Sequence, residues 1–390
     1  MTEQVDDVRG RIVDSQFLEL IRSEINTAGG ALPFDRYMGM ALYHPQFGYY
    51  THPGKRIGKD GDFITSVSIG RCFGMLLARH LATPIRQLAA SEGDLLLVEP
   101  GAENGDLAVD MMNELARLLP GDIYNRLCYV AFEPFSSKKQ SLRERLERLD
   151  SGRFRVVSQW QELTASRGVL VANEFLDAMP VKRLRWKDSA WLELCVGNSG
   201  ESAEEFNEIE QSIEDRELAA VVDALPVTLG DGFTIEVNMG LERWFNDLSR
   251  TFEMLHCCLI DYGLWGDEVF DPVRKMGTLR GYVRHRMCDS LLSAPGISDL
   301  TAHVDFERVR ATAASAGFEV TNLTDQHRFL VTAAKPWLLE IEASGPPDAE
   351  TVKLLHQFKS LSHPTMMGSA FKVLEMSKGM PIEDYCVSIR

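Results

Sequence analysis

The residues best suited to chemistry in this 390-residue chain are acidic ones that follow short apolar runs. Leu95-Leu96-Leu97-Val98 leads to Glu99, and Pro100-Gly101-Ala102-Glu103-Asn104-Gly105 then runs into a helical pattern from Asp106. Glycine lets a backbone approach a ligand closely, and a helix beginning after such a turn offers unpaired N–H groups and a positive dipole end. Glu103 stands where a Gly-x-Gly-x-Gly reading would want glycine, so the string alone fits a cofactor turn or an ordinary strand-to-helix connection. Leu127 to Phe132 is a second apolar run, ending in Glu133, a place from which a carboxylate can take ribose hydroxyls. Val169 to Val171 leads to Asn173 and Glu174, and Gln159 follows the run from Arg153 to Val157.

These residues need a scaffold that gathers them. Strand-like and helix-like segments alternate from Leu95 onward, the pattern of a parallel sheet covered by helices on both faces. Ligands of open parallel sheets bind beyond the carboxyl ends of the strands, so Glu99, Glu133, Gln159, Asn173 and Glu174 are expected to converge on one crevice. Val181 to Trp186 and Trp191 to Val196 read as a hairpin, Phe233 to Val237 as a strand, and Leu255 to Ile260 as a buried strand closing at Asp261. A helix is expected at about 305–315, strands near 318–320 and 328–332, and a last helix after Gly345-Pro346-Pro347. Helix-like pieces at 16–26 and 69–88, separated by aromatic loops, read as a cap. The expected organisation is a cap over 1–90, an α/β core over 91–335 with an insertion at about 181–250, and a helical extension over 336–390.

Composition excludes several classes. No run approaches the apolar length of a membrane span, and the acidic start Met1-Thr2-Glu3-Gln4-Val5-Asp6-Asp7 lacks the basic character of export signals, so a cytoplasmic protein is expected. A net charge of -16 argues against nucleic acid, whose phosphates are held mainly by Lys and Arg. The seven cysteines include no C-x-x-C pair and suggest neither a zinc site nor a disulfide framework. Glu201 to Glu217 is rich in carboxylates, with Phe206, Ile209 and Ile213 at helical spacing, and reads as a solvated helix face or an insert. Arg274, Lys275, Arg280, Arg284, His285 and Arg286 form a positive island.

Longer strings carry a resemblance. Phe34-Asp35-Arg36-Tyr37-Met38, Ala41 to Tyr50, Gly61-Asp62-Phe63-Ile64-Thr65, Ala172-Asn173-Glu174-Phe175-Leu176-Asp177-Ala178-Met179-Pro180, Asp261-Tyr262-Gly263, Gly277-Thr278-Leu279-Arg280-Gly281-Tyr282-Val283-Arg284-His285, Asp299 to Phe306 and Phe371-Lys372-Val373-Leu374 occur in one order. In these strings the chain resembles the MidA-like methyltransferases, bacterial relatives of the mitochondrial complex I assembly arginine methyltransferase. The resemblance implies a Rossmann-like class I fold that binds S-adenosyl-L-methionine and needs no metal.

By the same resemblance Glu99, Gly101 and Gly105 match the family's methionine-binding turn, Glu133 its ribose position, and Gly61, Asp62 and Thr65 a loop beside the cofactor. Asn173, Glu174 and Asp177 match the motif at the reaction centre, and His285, Asp299 and His303 match motifs toward the substrate. The sulfonium methyl is already electrophilic, so the protein chiefly holds a nucleophile in line and excludes water. Carboxylates can grip the fixed donor fork of a guanidinium, which makes Glu174 and Asp177 candidates for positioning and proton acceptance, with His285 as a third catalytic candidate. Gln159 and Asn173 join the expected cofactor set. The expected acceptor is an arginine of a protein partner; a small molecule or peptide, a non-catalytic binding role, and a homodimer stay open. The chain departs from the family at Glu103 and at Ser66-Val67-Ser68-Ile69-Gly70-Arg71, where relatives tend to show Ala-Pro-Glu and then Ser-Gln.

Overall fold

A computed structural model describes residues 13–51, 65–149, 152–163, 167–200, 205–226, 229–283, 286–288, 290–363 and 368–380, with the side chains of 136 and 137 left aside. The chain separates into two units, each discontinuous in sequence. One takes residues 64–177, 242–264 and 304–390, the other 1–63, 178–241 and 265–303.

The first unit is built on a sheet whose long strands are β1 (Leu95–Pro100), β2 (Leu127–Phe132), β3 (Phe154–Val157), β4 (Arg167–Asn173), β5 (Met254–Leu264), β6 (Glu319–Asp325) and β7 (Phe371–Lys378). Their spatial order is β6-β7-β5-β4-β1-β2-β3. The five strands from β5 to β3 pair in parallel, and β7 runs antiparallel between β5 and β6. Near-continuous burial along β1 and β4 is what helices on both faces of a parallel sheet demand. The core joins Leu95, Leu97, Val169, Val171 and Ile260 to the buried faces of helices Cys72–Leu88 and Asp106–Leu118. Strand order reverses beside β1, so the carboxyl ends of β1 and β4 flank the switch point at which such sheets take ligands.

The second unit pairs Leu32–Pro33, Ala190–Asn198, Lys182–Lys187 and Thr234–Val237 in one sheet, with Phe206–Ser212 added on Ala190–Asn198. Helices Ser15–Thr27 and Phe34–Tyr43 bury Phe17, Ile21, Tyr37 and Met38 in its core.

Three expectations are corrected. The carboxylate-rich stretch after Glu201 contains a strand, Phe206–Ser212, because Glu208 meets Arg183 and Arg185 and Glu210 meets Arg185 and Lys187 across the sheet. Residues 328–332 lie in helix Gln326–Ser344, which Asp325 caps by accepting from the Arg328 N–H. The expected domain limits also differ from the two units. Helix Cys72–Leu88, assigned to the cap, shares the core of the first unit, and β7, assigned to a helical extension, lies inside its sheet.

Candidate functional site

The turn after β1 departs from ordinary backbone at each of its key positions. Gly101 and Gly105 have φ of +73° and +75°, and Glu103, a residue with a Cβ, has φ of +45°. The left-handed backbone favours glycine at both positions; packing adds to this at Gly105, where a Cβ would lie 3.0 Å from Leu146, whereas one on Gly101 would only touch the Phe175 ring at 3.4 Å. Gly105 precedes helix Asp106–Leu118 and supplies no side-chain cap to it. Glu103 turns its carboxylate to Lys138 Nζ at 2.9 Å, so the residue that departs from the glycine pattern keeps the left-handed backbone and spends its charge on a neighbouring helix.

Glu99 is 6% exposed and accepts a 2.5 Å hydrogen bond from the Tyr129 hydroxyl. Burial pushes its carboxyl up to about 7; the Tyr129 bond opposes the rise, and Asp106 and Glu103 add to it. Glu133, at the end of β2, is also buried and accepts from the Phe135 N–H at 3.0 Å. Burial raises its pKa, the Phe135 N–H and Lys138 pull it down, and Glu103 raises it. Beside it the Phe132 and Trp160 rings stack at 4.2 Å, a flat apolar surface next to a carboxylate. Gln159 is exposed at the head of the turn after β3, its N–H donating to Glu162 Oε1 at 2.9 Å.

At the end of β4 the chain turns sharply. Glu174 has φ of +50°, the second left-handed non-glycine residue at this edge. Its Oε1 accepts from the Ser66 N–H and from Asn173 Nδ2, both at 3.1 Å. Asp261 on β5 holds the turn from below. Its Oδ2 accepts the N–H groups of Phe175, Leu176 and Asp177 at 3.1, 2.8 and 3.2 Å, and its Oδ1 that of Tyr262. Burial and the Glu174 carboxylate raise the Asp261 pKa, while those backbone donors favour the charged form. Asp177, the last residue of the turn, is buried.

The altered loop after Thr65 closes on itself. The Thr65 N–H donates to Ser68 Oγ at 3.0 Å, the Ser68 N–H to Thr65 Oγ1 at 3.1 Å, and the Ser68 hydroxyl to the Thr65 carbonyl at 2.8 Å. Arg71, the last residue of the string that departs from the family, pairs with Glu350 at 2.5 Å.

Of the residues singled out in sequence, Thr65, Glu99, Gly101, Gly105, Glu133, Gln159, Asn173, Glu174 and Asp177 all belong to the first unit, at the strand ends, in the turns after them, or in the loop that reaches Glu174. Gly61, Asp62 and His285 lie outside the described residues. Asp299 and His303 belong to the second unit, where Asp299 accepts from the Tyr50 hydroxyl at 2.9 Å and the His303 N–H donates to Thr278 Oγ1 at 3.1 Å. Sequence reasoning did not place Asp261, Tyr129, Lys138, Trp160 or Ser66 in the site. Asp261 had a signal, since it follows the apolar run Leu255 to Ile260 and opens the string Asp261-Tyr262-Gly263; the others act through long-range contacts.

The arrangement suits a nucleoside that carries an amino acid. Asn173 Oδ1 is buried with no hydrogen-bond partner among the described residues, the two glycines leave a cradle that a Cβ would narrow, and Glu99 and Glu133 are carboxylates seeking donors. Strand order, the antiparallel β7 and the acidic strand tips together define a class I methyltransferase. Residues 76–324 match the profile of the S-adenosyl-L-methionine-dependent methyltransferases, and the chain belongs to that family. A Burkholderia thailandensis protein crystallised with S-adenosyl-homocysteine is similar in fold, with a TM-score of 0.80 and 28% identity over 94% of this chain and 92% of that one. The Drosophila melanogaster protein arginine methyltransferase NDUFAF7 homolog, mitochondrial, is 28% identical over 375 residues, 90% of this chain and 82% of its own. The Danio rerio protein arginine methyltransferase NDUFAF7, mitochondrial, is 24% identical over 379 residues, 92% of this chain and 86% of its own. The protein is an S-adenosyl-L-methionine-dependent methyltransferase.

Proposed function

We propose that the chain methylates a nitrogen of an arginine in a protein partner, with Glu174 and Asp177 as the groups that receive the guanidinium. The observation that carries this reading is the strained Glu174 turn. Left-handed backbone at a residue with a Cβ costs free energy, and such strain persists where surrounding contacts over-determine it. Here Asp261 accepts the backbone N–H groups of Phe175, Leu176 and Asp177, which fixes the bend that carries Glu174 and Asp177. A guanidinium is planar, permanently charged and rich in donors, and two carboxylates at a bend match that fork better than one does. The naming of similar proteins as protein arginine methyltransferases supports the same acceptor.

In this reading Glu99 and Gly101 take the methionine end of the cofactor, Glu133 the ribose hydroxyls, and Asn173 Oδ1 a donor of the bound molecule. Thr65, Gly105 and Gln159 shape the walls; Gly61 and Asp62, which the resemblance adds to the cofactor set, lie outside the described residues. S-adenosylmethionine supplies, when bound, a methyl group on a positive sulfur that leaves without further activation. The protein's work is to orient and to accept a proton. Glu174 holds the guanidinium so that one nitrogen faces the methyl, and takes the proton which that nitrogen releases as the new N–C bond forms.

The test uses S-adenosylmethionine labelled in its methyl group, the purified protein, and an extract of cells that lack it. Label recovered as methylarginine after acid hydrolysis of the protein fraction is the expected outcome. Label confined to low-molecular-weight metabolites overturns the protein-arginine reading and favours a small-molecule acceptor.

A further inference from the structure

The Glu174 carboxylate is held by a backbone N–H that does not belong to its own turn. Ser66 donates that bond, and Ser66 is itself fully buried. Its hydroxyl donates to Gln326 Oε1 at 3.2 Å, and Gln326, also with 0% exposure, donates from Nε2 to the Leu361 carbonyl at 3.3 Å. The Leu361 carbonyl accepts only, so the amide must turn its nitrogen there and its oxygen toward Ser66. The same loop is gripped a second time. Gln357 Oε1 accepts from the Cys72 N–H at 3.1 Å, and the Gln357 side chain lies where a Cβ on Gly70, at φ of +136°, would fall. Residues 65–72 are thus clamped between the first turn of helix Gln326–Ser344 and helix Ala349–Ser362.

We propose that Ser66 and Gln326 are positioning residues: the buried chain Leu361–Gln326–Ser66 fixes the N–H that orients Glu174, and through it the acceptor. The proposal rests on the reading of Glu174 given above. Neither residue meets the reacting atoms. A buried side-chain hydrogen bond is worth roughly 1 kcal/mol, and loosening the clamp lets the Ser66 N–H drift from a carboxylate that must keep one orientation. Ser66 occupies part of the altered loop, so in this chain the family's usual residues after Thr65 are replaced by a hydroxyl whose partner lies 260 positions on.

The experiment compares Ser66→Ala, Gln326→Leu and the conservative Ser66→Thr, each alone and combined with Glu174→Gln. Methyl transfer is read as label moved from S-adenosylmethionine into extract protein, cofactor affinity by titration with S-adenosyl-homocysteine, and loop order by hydrogen exchange of the segment 65–72. The expected result is a loss in kcat of about fivefold for Ser66→Ala and Gln326→Leu. S-adenosyl-homocysteine affinity stays unchanged, exchange in 65–72 quickens, Ser66→Thr restores the rate, and the losses vanish once Glu174→Gln is present. Equal losses in both backgrounds, or unchanged exchange in 65–72, overturn the positioning role while leaving Glu174 in place. Undiminished transfer by Glu174→Gln alone overturns the reading of Glu174 and the positioning role with it. Should Gln326→Leu fail to fold, Ser66→Ala, which removes a single oxygen, decides the matter.

Discussion

Carboxylates on the sheet of the second unit and at the strand ends of the first do opposite things. In the second unit Glu208 is met by Arg183 and Arg185, Glu210 by Arg185 and Lys187, and Glu193 by Lys182 at 2.8 Å. Charge is cancelled on the sheet itself. At the strand ends of the first unit the partners of Glu99, Glu174 and Asp261 in hydrogen bonds are a phenol, backbone N–H groups and an amide. Burial raises the pKa of both Glu99 and Asp261, with Asp106 and Glu103 adding to the rise at Glu99 and Glu174 adding to it at Asp261. The first kind of carboxylate holds strands together, and the second, on the proposed reading, receives a cationic ligand. A raised acid at the end of a parallel strand is therefore a mark of a ligand site, whereas a paired acid is a mark of construction.

The sharpest way to break this contrast is to neutralise an acid of each kind. Glu174→Gln is expected to lower turnover by about 10²–10⁴-fold, the range of general acid–base effects, and Asp177→Asn to lower it less; cofactor affinity stays nearly constant in both, as read by titration. Full activity in both variants would return these residues to a structural role.

This difference was only half legible in the sequence. Glu99, Glu133, Asn173 and Glu174 were visible because each follows an apolar run, and period-two or continuous burial places the end of a strand wherever such a run stops. Asp261 ends a run too, but its partners are backbone N–H groups about 85 positions away, and nothing local marks them. The stretch Phe206–Ser212 reads in sequence as a solvated helix face or an insert because Phe206, Ile209 and Ile213 fit a helical period, while the cations that meet it in the sheet, Arg183, Arg185 and Lys187, lie 23 to 25 residues before the acids they pair with. Residues 328–332 are apolar enough to be a strand; the cap at Asp325, three residues upstream, was the overlooked signal.

A buried acid of the structural kind sharpens the contrast from the other side. Glu375 on β7 is 1% exposed and faces His80 at 2.7 Å, His256 at 3.2 Å and Asn322 at 2.8 Å. Burial works to raise its pKa, but the two histidines prevail and hold it below the ordinary carboxylate range. A folded-state pKa below the unfolded one contributes stability at pH above the unfolded value and loses it as pH falls toward the folded value. Glu375→Gln is expected to cost about 3–5 kcal/mol of stability in thermal or denaturant unfolding at neutral pH, with a smaller penalty in acid. Cofactor affinity of the folded fraction stays as it was. A loss of affinity without a loss of stability would place Glu375 among the ligand-facing acids.

The smallest expected effect comes from Glu103. Glu103→Gly gives the left-handed position a residue without a Cβ and removes the bond to Lys138. Stability should rise by about 1 kcal/mol in thermal unfolding, with S-adenosyl-homocysteine binding retained. A sharp gain in affinity would mean that the Glu103 side chain obstructs the turn.

The central claim, that the strand-tip acids are held ready for a cationic ligand, is tested most directly by counting protons. Glu99 has its carboxyl pushed up to about 7, so at neutral pH it is partly protonated, and on the proposed reading, in which it takes the methionine end of the ligand, it ionises as the ammonium of S-adenosyl-homocysteine binds. Titration calorimetry at pH 7 in buffers of different ionisation enthalpy should find about half a proton released per ligand bound, a release that Glu99→Gln abolishes. Binding without proton release, or the same release from Glu99→Gln, would contradict the claim.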